Sequence, residues 1–240
     1  MGKLYVVGLG PGGRQHMSLA ALEAIRASEV IVGYTPYIDY VEDLLEGKEV
    51  HSTGMKKELE RCQLAIDKAR QGFTTSIIST GDAGLYGMAG PILEMAEDIE
   101  VEVVPGISAV FSAAAELGSP IMHDYASISL SDLLTPWELI EKRISLAAQG
   151  DFVIAIYNPR SKGRPLHLNR ATELILEHRS ASTPVGIVRD SGRPGTRITM
   201  CRLDSINYEE VDMLSLLIIG NSNSYFKDGK MITPRGYKHK

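Results

Sequence analysis

"TTSIISTGDAGLYG" (residues 74–87) is the stretch on which the fold turns. It begins as a short run of β-branched and apolar residues, which predicts a buried strand. It ends in a loop where Gly81 permits an unusual φ, Asp82 can accept from an amine or hydroxyl, and Gly84 and Gly87 leave room for a ligand. Two other loops share this construction. Upstream stands "VVGLGPGGRQHMS" (Val6 to Ser18). Downstream, "VVPGISA" (Val103 to Ala109) closes a strand with a Pro-Gly turn and puts Ser108 where a helix should start. Each alone is an ordinary turn. Together they set three small-residue loops at strand C-termini, where open α/β sheets bind ligands.

The surroundings agree with that placement. "KLYVVGLG" and "EVIVGY" read as buried strands and "KEVHST" as a short one. "SLAALEAIRAS" reads as a helix capped by Ser18, with Leu19, Leu22, Ala24 and Ile25 near a 3.6 repeat. "PYIDYVEDLLEG" predicts a helix from Pro36 to Gly47. "KKELERCQLAIDKARQG" predicts an amphipathic helix with Leu59, Cys62, Ile66 and Ala69 on one face. "GPILEMAED" and "ISAVFSAAAELG" add helices, and "VEVVPG" adds a strand. Alternating β and α elements with short joins predict a parallel sheet covered on both faces.

"SPIMHD" (Ser119 to Asp124) breaks the rhythm, so a domain boundary is expected between residues 118 and 119. The second half alternates differently: "YASISLSD", "DFVIAIYNPR", "TPVGIVRD", "TRITMCRL" and "LSLLIIGNS" are strands, and "PWELIEKRISLAAQG" and "HLNRATELILEHR" are helices. Strands that follow one another without a long helix predict a mixed sheet. The fold class is therefore α/β, with domains at residues 1–118 and 119–240, and the tail "YKHK" is expected to fray.

The first glycine loop is not a P-loop, because no Lys-Ser or Lys-Thr follows the glycines. A dinucleotide site needs an acid at the end of the second strand, and "EVIVGY" ends in Gly33 and Tyr34. Pro11 fixes φ and removes a donor, so the loop presents a wall rather than a phosphate cradle. A net charge of −5 over 240 residues gives no support to nucleic-acid binding. The two cysteines, Cys62 and Cys201, form no C-x-x-C pair and read as buried free thiols of a cytosolic protein. Neither a signal peptide nor a membrane span is read, and no metal-ligand spacing is found, so a cytoplasmic protein without a bound metal is expected.

The set "VGLGPGG", "STGDAGLYG", "VVPGISA", "SPIMHDYASISLSD", "FVIAIYNPR" and "TPVGIVRD" resembles the tetrapyrrole methylase family over essentially the whole chain. The resemblance implies two α/β domains, a substrate trough in the first, and S-adenosylmethionine in the cleft between them, leaving S-adenosylhomocysteine as product. It implies cofactor contacts at Pro11, Gly81, Asp82, Leu85, Ser108, Ala109, Tyr157 and Gly186. "SLSDLLTPW" and "IYNPRSKGR", with "VVGLGPG" and "VGYTPYI", look like family members that methylate C17 of a corrin-pathway tetrapyrrole, precorrin-3B or cobalt-factor III, and contract its ring. The implied pathway is cobalamin biosynthesis, and the family is commonly dimeric.

In-line methyl transfer needs alignment rather than a nucleophilic side chain. It does need a base, and some relatives carry an acid where this chain has Tyr34; Tyr34, His123, Asp124 and Asp132 are the candidates. Asp132 reads equally as a helix cap, His123 as a satisfied linker histidine, and Tyr157 as a core tyrosine with its hydroxyl at the rim. The implied substrate is edged with carboxylates, which suit Arg14, Arg160, Lys162 and Arg164, with Arg189, Arg193 and Arg197 in a second basic stretch. Lys56 and Lys57, at an unfavourable helix end, also read as able to reach a ligand. Other readings stay open: methylation at another carbon or of a different substrate, a nucleotide-binding oxidoreductase, and a non-enzymatic tetrapyrrole carrier.

Overall fold

The computed structural model describes residues 2–237; the residues beyond Tyr237 in the expected frayed tail lie outside them. The chain divides into two compact units between Ala109 and Val110.

The first unit carries β1 (Lys3–Gly8), α1 (Leu19–Ala27), β2 (Val30–Tyr34), α2 (Thr35–Asp39), β3 (Glu49–Thr53), α3 (Glu58–Arg70), β4 (Thr75–Ser79), α4 (Ala89–Met95) and β5 (Glu100–Val104). Its five strands are all parallel, in the order β3-β2-β4-β1-β5. The apolar runs bury both faces. Val6, Val30, Val32 and Ile77 pack with Cys62 and Ile66 of α3 and Ile92 of α4. Val7, Ile31 and Ile78 pack with Ala21 and Ile25 of α1 and Ile38 of α2. Side chains alternate along each strand, so one hydrophobic run feeds two cores.

Three local expectations are corrected. Leu19 and Leu59 are exposed, at 77% and 65%. The inner face of α3 is instead Arg61, Cys62, Ala65, Ile66 and Ala69. The helix expected from Pro36 to Gly47 stops at Asp39, because Val41 leaves helical geometry and is drawn into the core. Ser18 caps α1 as expected, accepting from the Ala21 amide at 3.1 Å.

The second unit holds nearly all of α5 (Ala109–Leu117), then β6 (Gly118–Ser119), β7 (Tyr125–Ser129), α6 (Trp137–Gln149), β8 (Val153–Tyr157), α7 (His167–Leu176), β9 (Pro184–Arg189), β10 (Arg197–Arg202), β11 (Ser215–Ile219), β12 (Tyr225–Lys227) and β13 (Lys230–Ile232). Five strands run in the order β10-β9-β11-β8-β7. Only β7 and β8 are parallel; β11 is antiparallel to both β8 and β9, and β10 to β9. A second sheet joins β12, β13 and β6. Helix α5 goes with this unit because Leu117 beds against Gly186 of β9, where an added Cβ would stand 2.5 Å from the leucine. The boundary expected from sequence, at 118/119, lies at the far end of that helix.

Candidate active site

In the first unit the three glycine-bearing loops meet. Gly10 and Gly81 exchange backbone hydrogen bonds of 3.0 and 2.8 Å. Gly8, Gly81 and Gly106 approach so closely that a Cβ on Gly106 would lie 2.1 Å from the Gly81 carbonyl oxygen and 2.6 Å from that of Gly8. Gly8, Gly10 and Gly13 do stand at G-x-G-x-x-G spacing. Here, though, the glycines serve loop-to-loop contact rather than a turn into a long helix; Gly13 is followed by a single short turn at Arg14–His16.

Asp82 ties the second loop to the third. Its Oδ1 accepts from the amides of Gly84 (2.8 Å) and Leu85 (3.1 Å), and its Oδ2 from the amide of Gly106 (3.0 Å). Both oxygens are thus engaged by the loops themselves, and Asp82 shapes the site rather than standing free for an amine. Gly81 sits at φ 67°, and the nearest atoms to a Cβ there would be the Ala109 nitrogen at 3.7 Å and the Ser108 Cα at 3.9 Å. Gly81 therefore faces the backbone of Ser108 and Ala109 at van der Waals distance, with no side chain of its own between them. Pro11 and Ser108 are buried, Leu85 is half-buried, and Gly84 is exposed. Tyr34, at the end of β2, is half-buried, with its ring edge-on to Tyr37 at 5.1 Å. Arg14 is exposed and bonded to Asp43.

In the second unit the Tyr157 hydroxyl, at the end of β8, accepts from the Val110 amide in the first turn of α5 at 3.0 Å. Asp132 does not cap a helix, since α6 starts at Trp137 with Pro136 before it. It bridges His167 Nε2 (3.0 Å) and Arg164 Nε (3.8 Å). The His167 hydrogen bond, helped by Arg164, holds the Asp132 carboxyl below its ordinary value, which makes it a weak proton acceptor. The His123 Nδ1 accepts from the Asp124 amide at 2.9 Å, so its proton belongs on Nε2; both side chains face solvent.

The three basic groups after β8 part company. Arg164 is buried and donates to the carbonyls of Leu130 (2.7 Å) and Asn158 (3.3 Å), fastening the loop. Arg160 donates to the carbonyls of Pro165 and Tyr208 and to Glu209. Lys162 is exposed and forms no ion pair or hydrogen bond with any described residue. Arg160 and Lys162 edge a groove of about 410 Å³ floored by Pro165, Val211, Met213 and Leu214. In the second basic stretch Arg189 pairs with Asp212 and Asp190, and Arg193 lies 3.7 Å from Asp190. Sequence reading missed Arg61, buried at 4% exposure on α3; nothing in an amphipathic pattern marks a charge for the inner face.

A family model described as Tetrapyrrole (Corrin/Porphyrin) Methylases matches residues 3–207. The chain is a tetrapyrrole methylase. It is 50% identical over 238 residues to a probable cobalt-factor III C(17)-methyltransferase of Salmonella typhimurium, covering 98% of this chain and 99% of that one. It is 47% identical to a cobalt-factor III methyltransferase of Priestia megaterium, over all of this chain but only 46% of that longer protein. Among solved structures, the methyltransferase CobJ superposes with a TM-score of 0.93 at 34% identity, over 98% of this chain and 100% of that one. This methylase shows no cluster of three or more His, Cys, Asp or Glu side chains able to hold a metal among the described residues. No described helix is long and apolar enough to cross a membrane. Burial pushes the Cys62 thiol up to about 11, so it is a packing group; Cys201 is half-buried, not buried as expected.

Proposed function

We propose that this methylase transfers a methyl group from S-adenosylmethionine to C17 of cobalt-factor III, with contraction of the macrocycle, as a step of cobalamin biosynthesis. The observation that carries the cofactor assignment is the side-chain-free turn at Gly81, which faces Ser108 and Ala109 and is braced by Asp82. Backbone carbonyls at such a bare turn keep a second lone pair that suits the ammonium of a methionine moiety. Pro11, Leu85, Tyr157 and Gly186 complete the proposed contact set. The C17 assignment and the cobalt-bearing substrate rest on the relatives' names. Precorrin-3B is the second reading, and methylation at another carbon the third.

When bound, the cofactor supplies a methyl group on a sulfonium. The chain's part is to hold donor and acceptor in line. Asp82 does this indirectly, by fixing the 84–85 turn and the Gly106 amide in one arrangement. Of the proton acceptors proposed, Tyr34 stands at the carboxyl edge of the first sheet, where ligands of open α/β folds bind. Asp132 is held ionised by its partners, while His123 and Asp124 are open to solvent. Lys162, with Arg160, is proposed to meet substrate carboxylates, and Arg14 to do so by leaving Asp43. A cytoplasmic homodimer is part of the proposal, and light scattering on the purified protein checks the dimer.

Calorimetric titration with S-adenosylhomocysteine tests the cofactor assignment. Asp82→Ala is a poor probe, because it frees three amides and collapses the turn whether or not a ligand is there. Ala109→Leu adds bulk beside the Gly81 turn instead and is expected to weaken binding by about tenfold or more, with the melting temperature measured alongside to separate loss of the site from loss of the fold. No binding by folded wild type overturns the assignment. Methyl-labelled cofactor with cobalt-factor III then locates the label; its arrival at any carbon but C17 overturns the substrate reading.

A further inference from the structure

Three arginines are buried among the described residues: Arg61, Arg164 and Arg179. Arg164 has Asp132 within 3.8 Å, and Arg179 is paired with Asp151. Arg61 has no carboxylate in ion-pair range among the described residues. Its Nε donates to Thr53 Oγ1 at 2.8 Å, one terminal nitrogen donates to the Gly54 carbonyl at 3.1 Å, and the other lies 3.9 Å from Met88 Sδ. These are neutral or weak acceptors for a fork of five N–H donors that stays charged at any working pH. Buried charges in proteins are normally paired, because desolvation without a counter-ion is expensive.

The position of this lone charge is informative. Tyr34 and Thr53 are register partners at the ends of the parallel strands β2 and β3, so Arg61 lies under the carboxyl edge of the sheet. Its Cζ is 5.8 Å from the centre of the half-buried Tyr34 ring. Tyr34 meets Tyr37 edge-on at 5.1 Å. Gly54, whose carbonyl Arg61 holds, is exposed, and a Cβ there would meet nothing within 4 Å. Gly54 is therefore the open point of this edge, hydrogen-bonded directly to a cation that lacks its anion.

We propose that Arg61 is the anchor for one peripheral carboxylate of the tetrapyrrole, received at Gly54 with the Tyr34–Tyr37 pair against the macrocycle. This rests on the substrate class proposed above. The missing counter-ion then arrives with the substrate, and the free protein carries an uncompensated charge in the meantime. Functional sites characteristically hold groups that are suboptimal for stability alone.

Anaerobic kinetics with cobalt-factor III and S-adenosylmethionine test this on Arg61→Met, Arg61→Lys and Gly54→Leu. Arg61→Met removes the charge at similar length, and Gly54→Leu blocks the approach while leaving the arginine. Both are expected to raise KM by about tenfold or more, with kcat changed by less than about threefold. Arg61→Lys is expected to recover part of the loss. S-adenosylhomocysteine affinity should be unchanged in all three, and Arg61→Met should melt no lower than wild type. A low-melting Arg61→Met whose cofactor binding falls in step would show a structural clamp and overturn the proposal. So would an unchanged KM in Gly54→Leu. Wild type that binds S-adenosylhomocysteine but does not turn over cobalt-factor III would overturn the substrate reading itself, a result distinct from normal turnover with unmoved KM in the variants.

Discussion

At the scale of single residues, the first unit depends on atoms that are missing. Gly106 has no side chain because two carbonyl oxygens already occupy the place of its Cβ, and both belong to backbone. A flexible side chain would yield; two loop backbones joined by the Gly10–Gly81 hydrogen bonds do not. Gly106→Ala is therefore expected to destabilise the fold by about 4 kcal/mol or more and to abolish S-adenosylhomocysteine binding. Gly163→Ala is the matched control, since nothing lies within 4 Å of its added methyl in the exposed turn after β8. That change is expected to be neutral or to stabilise by roughly 0.5 kcal/mol. Urea denaturation of the two variants checks the contrast, and equal midpoints would show that the loops are slack.

Single residues were also where the sequence was hardest to read. Gly81, Asp82 and Ser108 could be picked out because three small-residue loops recur at the ends of strands in one half of the chain. What Asp82 does could not, because its third partner, the Gly106 amide, lies in another loop. Nor could the division of labour among Arg160, Lys162 and Arg164, which depends on which carbonyls the fold brings near each guanidinium.

At the scale of elements, periodicity found the helices but not always their faces. In α3 an apolar count favours Leu59, yet the 3.6 repeat through Cys62, Ile66 and Ala69 points Arg61 inward, and a count has no way to accept a buried charge. Charge also holds elements together in the second unit. Asp151, in the turn between α6 and β8, accepts from the amide and hydroxyl of Ser222 and pairs with Arg179 beyond the end of α7. Arg179 in turn donates to the carbonyls of Ala148 and Phe152. Burial alone would raise the Asp151 carboxyl, but the Ser222 donors and Arg179 outweigh it and hold it below its ordinary value. Its contribution is therefore fully present above the unfolded value near about 4 and is lost as pH falls through the lower folded value. Asp151→Asn is expected to lower stability at pH 7 by about 1 kcal/mol, because the Asp151 side chain is 42% exposed and its charge is partly screened. The gap from wild type should close progressively below about pH 4. Urea midpoints measured from pH 7 down to pH 3 check this, and a gap independent of pH would mean that the carboxylate's charge contributes nothing.

At the scale of the whole molecule, the β-α alternation of the first half was enough to give a parallel sheet, because each buried run can reach its neighbour only by a crossover. The mixed sheet of the second half was legible for the complementary reason: strands follow one another there without helices. The small sheet of β6, β12 and β13 was not. Its strands are two or three residues long, too short for any period, and β6 lies more than a hundred residues before the other two. The family model, too, ends at residue 207, before two of them. Yet Met231 is fully buried and pairs with Gly118, the Thr233 amide donates to the Ser119 carbonyl at 3.0 Å, and Ser224 and Thr233 share a 2.6 Å hydrogen bond. This places a clamp directly after Leu117, at the end of the helix that Gly186 admits against β9. Removing residues 224–240 strips that clamp and uncovers the far end of α5. The shortened chain is expected to lose about 3 kcal/mol or more in urea unfolding. Met231→Ala should reproduce a large part of that loss in the full chain, since it empties the same buried position without touching the strand pairing. A shortened chain with the wild-type midpoint would mean that β9 and the helix above it hold together unaided.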